Sequence, residues 1–286
     1  MRIDASFLGR WDMTVHHPEG DFPSWFELNA DGTGRFVGQF GSARPIAKSK
    51  AKDGTLTFSL PKQYEPRDDD MVFEGRLDGE KLEGHTTHSD ATPMSWTAVK
   101  APALPYRETQ WGTPLSLIQT DLANWEPRSP NWEVNWKIEN GCLVNTKVGS
   151  DLILNEAYGD FKLVCEYKYP AGSNSGIYLR GRYEVQILDD FGQKPSWGSS
   201  AGVYGFLVPL KNAINASDEW NTIEIELVGR WVTITLNGQT VVNKKEIPGI
   251  TGGALESNEG APGRTFLQGD HGPITFRKVE ITPSVN

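Results

Sequence analysis

Apolar side chains in this chain recur at every second position and almost nowhere at every third or fourth. Residues 161–169 alternate cleanly, as do 220–228 and 231–236, and the runs stop at Gly, Asn and Asp. Successive side chains of a strand point to opposite sheet faces, so a period of two marks half-buried strands and predicts an all-β fold. Ten Trp, twelve Phe and eight Tyr supply enough apolar area to argue against disorder. A length of 286 residues suits two domains, each with its own core.

The pattern changes character between Ala98 and Arg107, where Val99-Lys100-Ala101-Pro102-Ala103-Leu104-Pro105 reads as a linker. The expected division is residues 1–100, a linker at 101–110 and residues 111–286. In the first part, short strands meet at tight turns such as Asn29-Ala30-Asp31-Gly32, Asp53-Gly54 and Asp78-Gly79, which predicts a small antiparallel barrel. Its Gly9-Arg10-Trp11 opening and late Trp96 resemble a lipocalin-like module. In the second part the strands lengthen, with hairpins expected around Asn140-Gly141 and Asn237-Gly238, which predicts a two-sheet β-sandwich.

The net charge is −9, from 37 acidic and 28 basic residues, with no Lys/Arg block. Nucleic acid and anionic membranes are therefore poor partners. No apolar run reaches the roughly 20 residues of a membrane span, and Asp4 interrupts the only signal-like segment. A cytoplasmic protein is expected from the chain as it stands, and a periplasmic or secreted one if a leader has been removed. Cys142 and Cys165 lie in apolar strand-like runs and read as reduced core thiols. Asn215-Ala216-Ser217 has the glycosylation pattern, which matters only on secretion.

The chemically unusual segment is 174–189, Asn-Ser-Gly-Ile-Tyr-Leu-Arg-Gly-Arg-Tyr-Glu-Val-Gln-Ile-Leu-Asp. If it runs straight, Tyr178, Arg180, Arg182, Glu184 and Gln186 share one face and Ile177, Leu179, Tyr183, Val185 and Ile187 the other. If Gly181 folds it into a hairpin, Tyr178 and Arg180 share a face on one arm and Glu184 and Gln186 on the other. Guanidinium and amide groups suit directional bonds to hydroxyl or carbonyl oxygens, while an ion-pair ladder of Arg180, Arg182 and Glu184 is the structural alternative. A second cluster, 264–272, ends in Gln268-Gly269-Asp270-His271-Gly272, a turn presenting an acid and an imidazole that titrates near neutrality. Trp197, in a loop after the strip, suits stacking on a ligand ring or anchoring the loop.

These segments carry a resemblance. From about Leu115 to Thr282 the chain resembles the 3-keto-disaccharide hydrolase family, a concanavalin A-like sandwich of jelly-roll type. The matching pieces stand in order at 136–143, 158–163, 174–189, 219–222, 236–238, 253–260 and 266–272. Such a family implies cleavage of a glycoside whose C3 hydroxyl is already a ketone. A base takes the proton at C2, the C1 substituent leaves by elimination, and water adds. This route needs a base, an oxyanion stabiliser and a proton donor, not the paired carboxylates of ordinary glycosidases. Glu184 or His271 fits the base or acid, Arg180 or Arg182 the oxyanion stabiliser, and Tyr178, Gln186, Trp197, Gln268 and Asp270 substrate binding. A divalent cation held by Glu184, Asp189, Asp270 and His271 is the alternative electrophile.

Two other readings stand beside this one. The sandwich binds carbohydrate without catalysis, or the barrel carries a small molecule and the sandwich is a scaffold. His85-Thr86-Thr87-His88 is no metal spacing on a strand, where an odd separation splits the rings between faces. His16-His17-Pro18 and Arg67-Asp68-Asp69-Asp70 read as solvated loops, Trp11 and Trp96 as barrel core, and Trp220 and Trp231 as sandwich core.

Overall fold

The computed structural model describes residues 3–46, 48–62, 68–87 and 90–286. Apart from one 3-10 turn, Ala5–Phe7, the regular structure of these residues is all strand, as the alternation predicts. Among them no helix is long and apolar enough to cross a membrane. Packing divides the chain into two units, Met1–Ala103 with Gly249–Gly260, and Leu104–Pro248 with Ala261–Asn286.

The first unit contains β1 (Gly9–His16), β2 (Phe22–Leu28), β3 (Gly34–Val37), β4 (Arg44–Pro45), β5 (Lys48–Lys52), β6 (Thr55–Leu60), β7 (Met71–Asp78), β8 (Lys81–Thr87) and β9 (Pro93–Lys100). They form one antiparallel sheet in the order β4-β3-β2-β1-β9-β8-β7-β6-β5, a meander in which first and last long strands meet. Aromatic rings fill its barrel-like interior. Phe58 and Phe73 stack at 4.7 Å, Phe36 and Phe73 lie 4.9 Å apart, and Phe26 and Phe58 5.2 Å. Trp11 and Trp96 are buried among them, and each indole N–H finds a carbonyl, Phe7 at 2.9 Å and His85 at 3.2 Å. A carrier would keep open the space that these rings occupy.

The segment 249–260 joins this unit across a long sequence gap. Gly253 N–H donates to the Gln39 carbonyl at 2.7 Å, and the Thr14 and Ser257 hydroxyls are 2.9 Å apart. His16 is a strand residue bonded to Asp21 at 2.8 Å rather than a solvated loop. His85 pairs with Glu74 across β7 and β8 at 3.2 Å. Arg67 and His88 lie outside the described residues.

The second unit contains β10 (Leu115–Ser116), β11 (Trp125–Pro127), β12 (Trp136–Glu139), β13 (Cys142–Asn145), β14 (Leu152–Leu154), β15 (Phe161–Lys168), β16 (Asn174–Leu179), β17 (Tyr183–Leu188), β18 (Asn221–Val228), β19 (Trp231–Leu236), β20 (Gln239–Glu246), β21 (Phe266–Leu267) and β22 (Ile274–Pro283). Two antiparallel sheets result. The larger runs β12-β13-β22-β15-β18-β19-β20 with β10 beside β22, and the smaller runs β11-β14-β21-β16-β17.

Strand β15 alternates buried and half-buried positions along its whole length, as a sheet with one covered face requires. Strands β16 and β17 differ, because nearly every residue in them is buried on both faces. Two sequence expectations need correction. Trp220 and Trp231 are half-buried rather than core, and Lys168 and Arg277 cover the Trp220 ring at 5.3 and 4.3 Å. Both cysteines are free thiols, but only Cys165 is in the core, and Cys142 is half-buried.

Candidate active site

The strip 174–189 is a hairpin. β16 and β17 pair with Tyr178 opposite Glu184 and Gly176 opposite Gln186, and the chain reverses at Arg180-Gly181. Both turn residues have positive φ, 53° and 68°, a conformation costing an L-residue such as arginine about 1 kcal/mol. Local bonds hold Arg180 there. Its backbone N–H donates to Thr265 Oγ1 at 3.3 Å. Its guanidinium donates to the carbonyls of Gly159 and Gly229 and to Asp160 Oδ1, each at 2.7 Å.

Register carries a polar surface across the small sheet. Pro127 pairs with Leu152, Leu152 with Leu267, Leu267 with Ile177 and Ile177 with Val185, an apolar row on one face. One residue along, on the opposite face, Arg128 N–H donates to the Asp151 carbonyl and Gln268 N–H to that of Gly176, both at 2.9 Å. Arg128, Asp151, Gln268, Gly176 and Gln186 therefore share a face. Two residues further along, Phe266, Tyr178 and Glu184 share it as well. The Tyr178 ring stacks on Phe266 at 4.0 Å, and the Arg128 guanidinium lies 5.0 Å from the same ring. Glu184, Gln186 and Gln268 are each about 95% buried on this face.

Burial of a carboxyl favours its neutral form. Glu184 is pushed up to about 7 from an ordinary value near 4.5, first by loss of solvent. The Tyr178 hydroxyl, which donates to Oε2 at 2.9 Å, and the charge of His271 oppose the rise, while Asp270 and Asp151 add to it. Tyr178 itself is held well above its ordinary value by burial and by Glu184. His271 is raised by its bond to the Asp270 carboxylate, against burial and with help from the charges of Asp270, Glu184 and Asp151. Glu184 and His271 thus feel one another, the carboxyl lifted to about 7 and the imidazole raised above its ordinary value.

The turn that carries Asp270 and His271 is clamped from the sheet. Asp151 Oδ1 accepts from the Gly269 and Asp270 N–H groups at 2.8 and 3.3 Å, and its Oδ2 accepts from Arg128 at 3.2 Å. The Asn145 amide donates to the carbonyls of Gly269 and Gly272 at 3.3 and 3.0 Å. Asp151 is buried and raised above its ordinary value, by burial first and then by the Asp270 charge. Arg128, Asn145 and Asp151 were absent from the sequence expectations. A strand-end position beside an apolar run was their only local signal.

The structure brings together Tyr178, Glu184, Gln186, Gln268, Asp270 and His271. It takes the two arginines elsewhere. Arg180 is tied down as described, and the fully buried Arg182 donates to the Ala261 carbonyl at 2.9 Å. Arg128 supplies the guanidinium on the polar face instead. Trp197 is 63% exposed in the loop beyond β17. That loop is stitched to the strand edge, with Tyr204 N–H donating to the Glu184 carbonyl and Gly205 N–H to that of Trp197, both at 3.0 Å.

The four residues considered as cation ligands do not form a ligand set. Asp189 accepts from Gly172 N–H at 2.7 Å, at the open end of the hairpin. Among the described residues no three His, Cys, Asp or Glu side chains group to hold a metal ion.

The second unit is a two-sheet sandwich with a buried acid on one polar sheet face and an imidazole in the turn beside it. The chain belongs to the family of 3-keto-alpha-glucoside-1,2-lyase-like domains, whose profile matches residues 116–282. A solved structure from Parabacteroides distasonis ATCC 8503, described as a candidate glycosyl hydrolase, is 25% identical with a TM-score of 0.51. The alignment covers 63% of this chain and 92% of that one. A second protein of that organism, described in the same words, is 23% identical with a TM-score of 0.47, covering 59% of this chain and 98% of that one. No curated protein matches the chain.

Proposed function

We propose that the sandwich cleaves glycosides of 3-keto sugars by elimination and hydration, with Glu184 as the base and His271 as the acid. The observation that carries this reading is a buried carboxyl lifted to about 7 that interacts with an imidazole raised by its bond to the Asp270 carboxylate. Such a pair suits one group to take a proton while the other gives one.

The C3 ketone makes the C2 hydrogen acidic. Ionised Glu184 takes that proton, and the C–H electron pair moves into an enolate on the C3 oxygen. Arg128, the guanidinium on this face, stabilises the oxygen through charge. The enolate collapses, a C1–C2 double bond forms, and the C1–O bond breaks. His271, held protonated by Asp270, gives its proton to the departing oxygen. Water then adds, hydroxyl to C1 and proton to C2, to release the free 3-keto sugar.

The test is release of alcohol from a 3-keto glucoside, with an ordinary glucoside as control. Wild type is expected to cleave the keto compound alone. Glu184→Gln and His271→Ala are each expected to lose about 100-fold or more. Full activity in both variants refutes the assignment of these two residues. Sugar binding by wild type without turnover marks a binding module instead.

A further inference from the structure

In the first unit, the interior row of β9 ends on a charge. Met94, Trp96 and Ala98 are its buried positions, and the next residue on that face is Lys100. Lys100 pairs across the sheet with Trp11 of β1. Its Nζ lies 3.9 Å from the centre of the Trp11 ring and donates to the Leu8 carbonyl. Among the described residues no carboxylate pairs with it. A cavity of about 480 Å³ opens here, lined by Trp11, Leu77, Val99 and Lys100, with Glu80 and Lys81 as its other charged side chains. That volume suits a small molecule. Lys81 is paired with Glu83 at 2.8 Å, so Lys100 is the amine on this wall without a carboxylate partner. Its side chain still reaches solvent, which keeps it open to a ligand. Partial loss of hydration brings the Lys100 ammonium down to about 8 from an ordinary value of 10.5.

We propose that this cavity is a second reactive site, in which the Lys100 amine condenses with an aldehyde or ketone of apolar body to form an imine. The Trp11 ring, Leu77 and Val99 receive the apolar body. A lysine attacks in its neutral form, which an apolar neighbourhood and the lack of a carboxylate partner both favour. The nitrogen lone pair adds to the carbonyl carbon, the C–O π pair moves to oxygen, and a proton shed by nitrogen goes to that oxygen. The resulting hydroxyl takes a proton from solvent and leaves as water while the nitrogen pair closes the C=N bond. The last N–H proton then returns to solvent. No electron is gained or lost, and the inference does not depend on the chemistry proposed for the sandwich.

The experiment incubates the full-length protein with benzaldehyde near neutral pH, reduces any imine with cyanoborohydride and maps the benzylated lysines over time by peptide mass spectrometry. Near neutrality an amine at about 8 holds about 300-fold more of its neutral form than one at 10.5. Its weaker basicity returns part of that gain, so Lys100 is expected to be labelled on the order of tenfold faster than the exposed Lys50 of β5. The Lys100 rate is expected to level off as benzaldehyde rises, because binding in the cavity precedes reaction, while the Lys50 rate rises in proportion. Lys100→Arg keeps a cation over the Trp11 ring but has no such amine, and is expected to lose the fast label while melting with wild type. Labelling of Lys100 no faster than Lys50, a Lys100 rate that never levels off, or a fast label that persists in Lys100→Arg overturns the site.

Discussion

Replacing Glu184 by Gln isolates the energetic cost of the buried carboxylate. The carboxyl is lifted from about 4.5 to about 7, and each pH unit of such a difference is worth about 1.4 kcal/mol, so the ionised form costs the fold about 3 kcal/mol. The sign follows from proton uptake. Between the two values the folded chain binds a proton that the unfolded chain has released, so stability falls as pH rises through this window. The cost is absent below 4.5 and complete above about 7. Glutamine keeps the carbonyl that accepts from Tyr178 and has no charge at any pH. Urea unfolding at a series of pH values should therefore show Glu184→Gln more stable than wild type by about 3 kcal/mol at pH 8, and by less than about 1 kcal/mol at pH 5. Cleavage of the keto glucoside should be lost throughout. A stability difference that does not change with pH refutes the raised carboxyl, and with it the reason for choosing Glu184 as the base.

Further outcomes are expected. The kcat/KM of wild type should rise through a value near 7 as Glu184 ionises and fall as His271 loses its proton above 6.5, and His271→Gln should abolish the falling limb. Arg180→Met leaves Asp160 buried with Arg107 and the Gly229 N–H as its side-chain partners among the described residues, so unfolding should cost about 3 kcal/mol less while kcat per folded molecule holds. A matching loss of kcat would return Arg180 to the chemistry. Asp151→Ala frees the Gly269 and Asp270 N–H groups that fix the turn. It should lower kcat about 100-fold by misplacing His271, and the rising limb of the pH profile should move down, because a negative charge acting on Glu184 is gone.

Much of the fold is legible in residue order. The alternation in residues 161–169 and 220–236 is a local record of strands with one covered face, and it survives any tertiary arrangement of those strands. Glu184, Tyr178 and the Asp270-His271 turn are visible for a similar reason, since each stands out against the apolar residues beside it. Arg180 and Arg182 stand out too, yet they serve the turn and the wall behind it, because the hairpin at Gly181 carries them to Asp160 and Ala261. Which arm of a polar strip faces which partner depends on strand pairing.

Arg128 and Asp151 show the reverse case. They are 23 positions apart in the chain and unremarkable in their own neighbourhoods, and they reach the polar face because β11, β14 and β21 lie side by side. Gly176 reads in the sequence as an ordinary small residue, and only the approach of Glu184 and Gln268 over its backbone makes its missing side chain meaningful. Periodicity is set by the backbone and one solvent boundary, so residue order alone determines strands, turns and the chemical class of the strip. The site depends on contacts between strands distant in sequence and on how much water they exclude. Tertiary structure alone therefore decides which carboxyl is lifted toward neutrality and which guanidinium shares its sheet face.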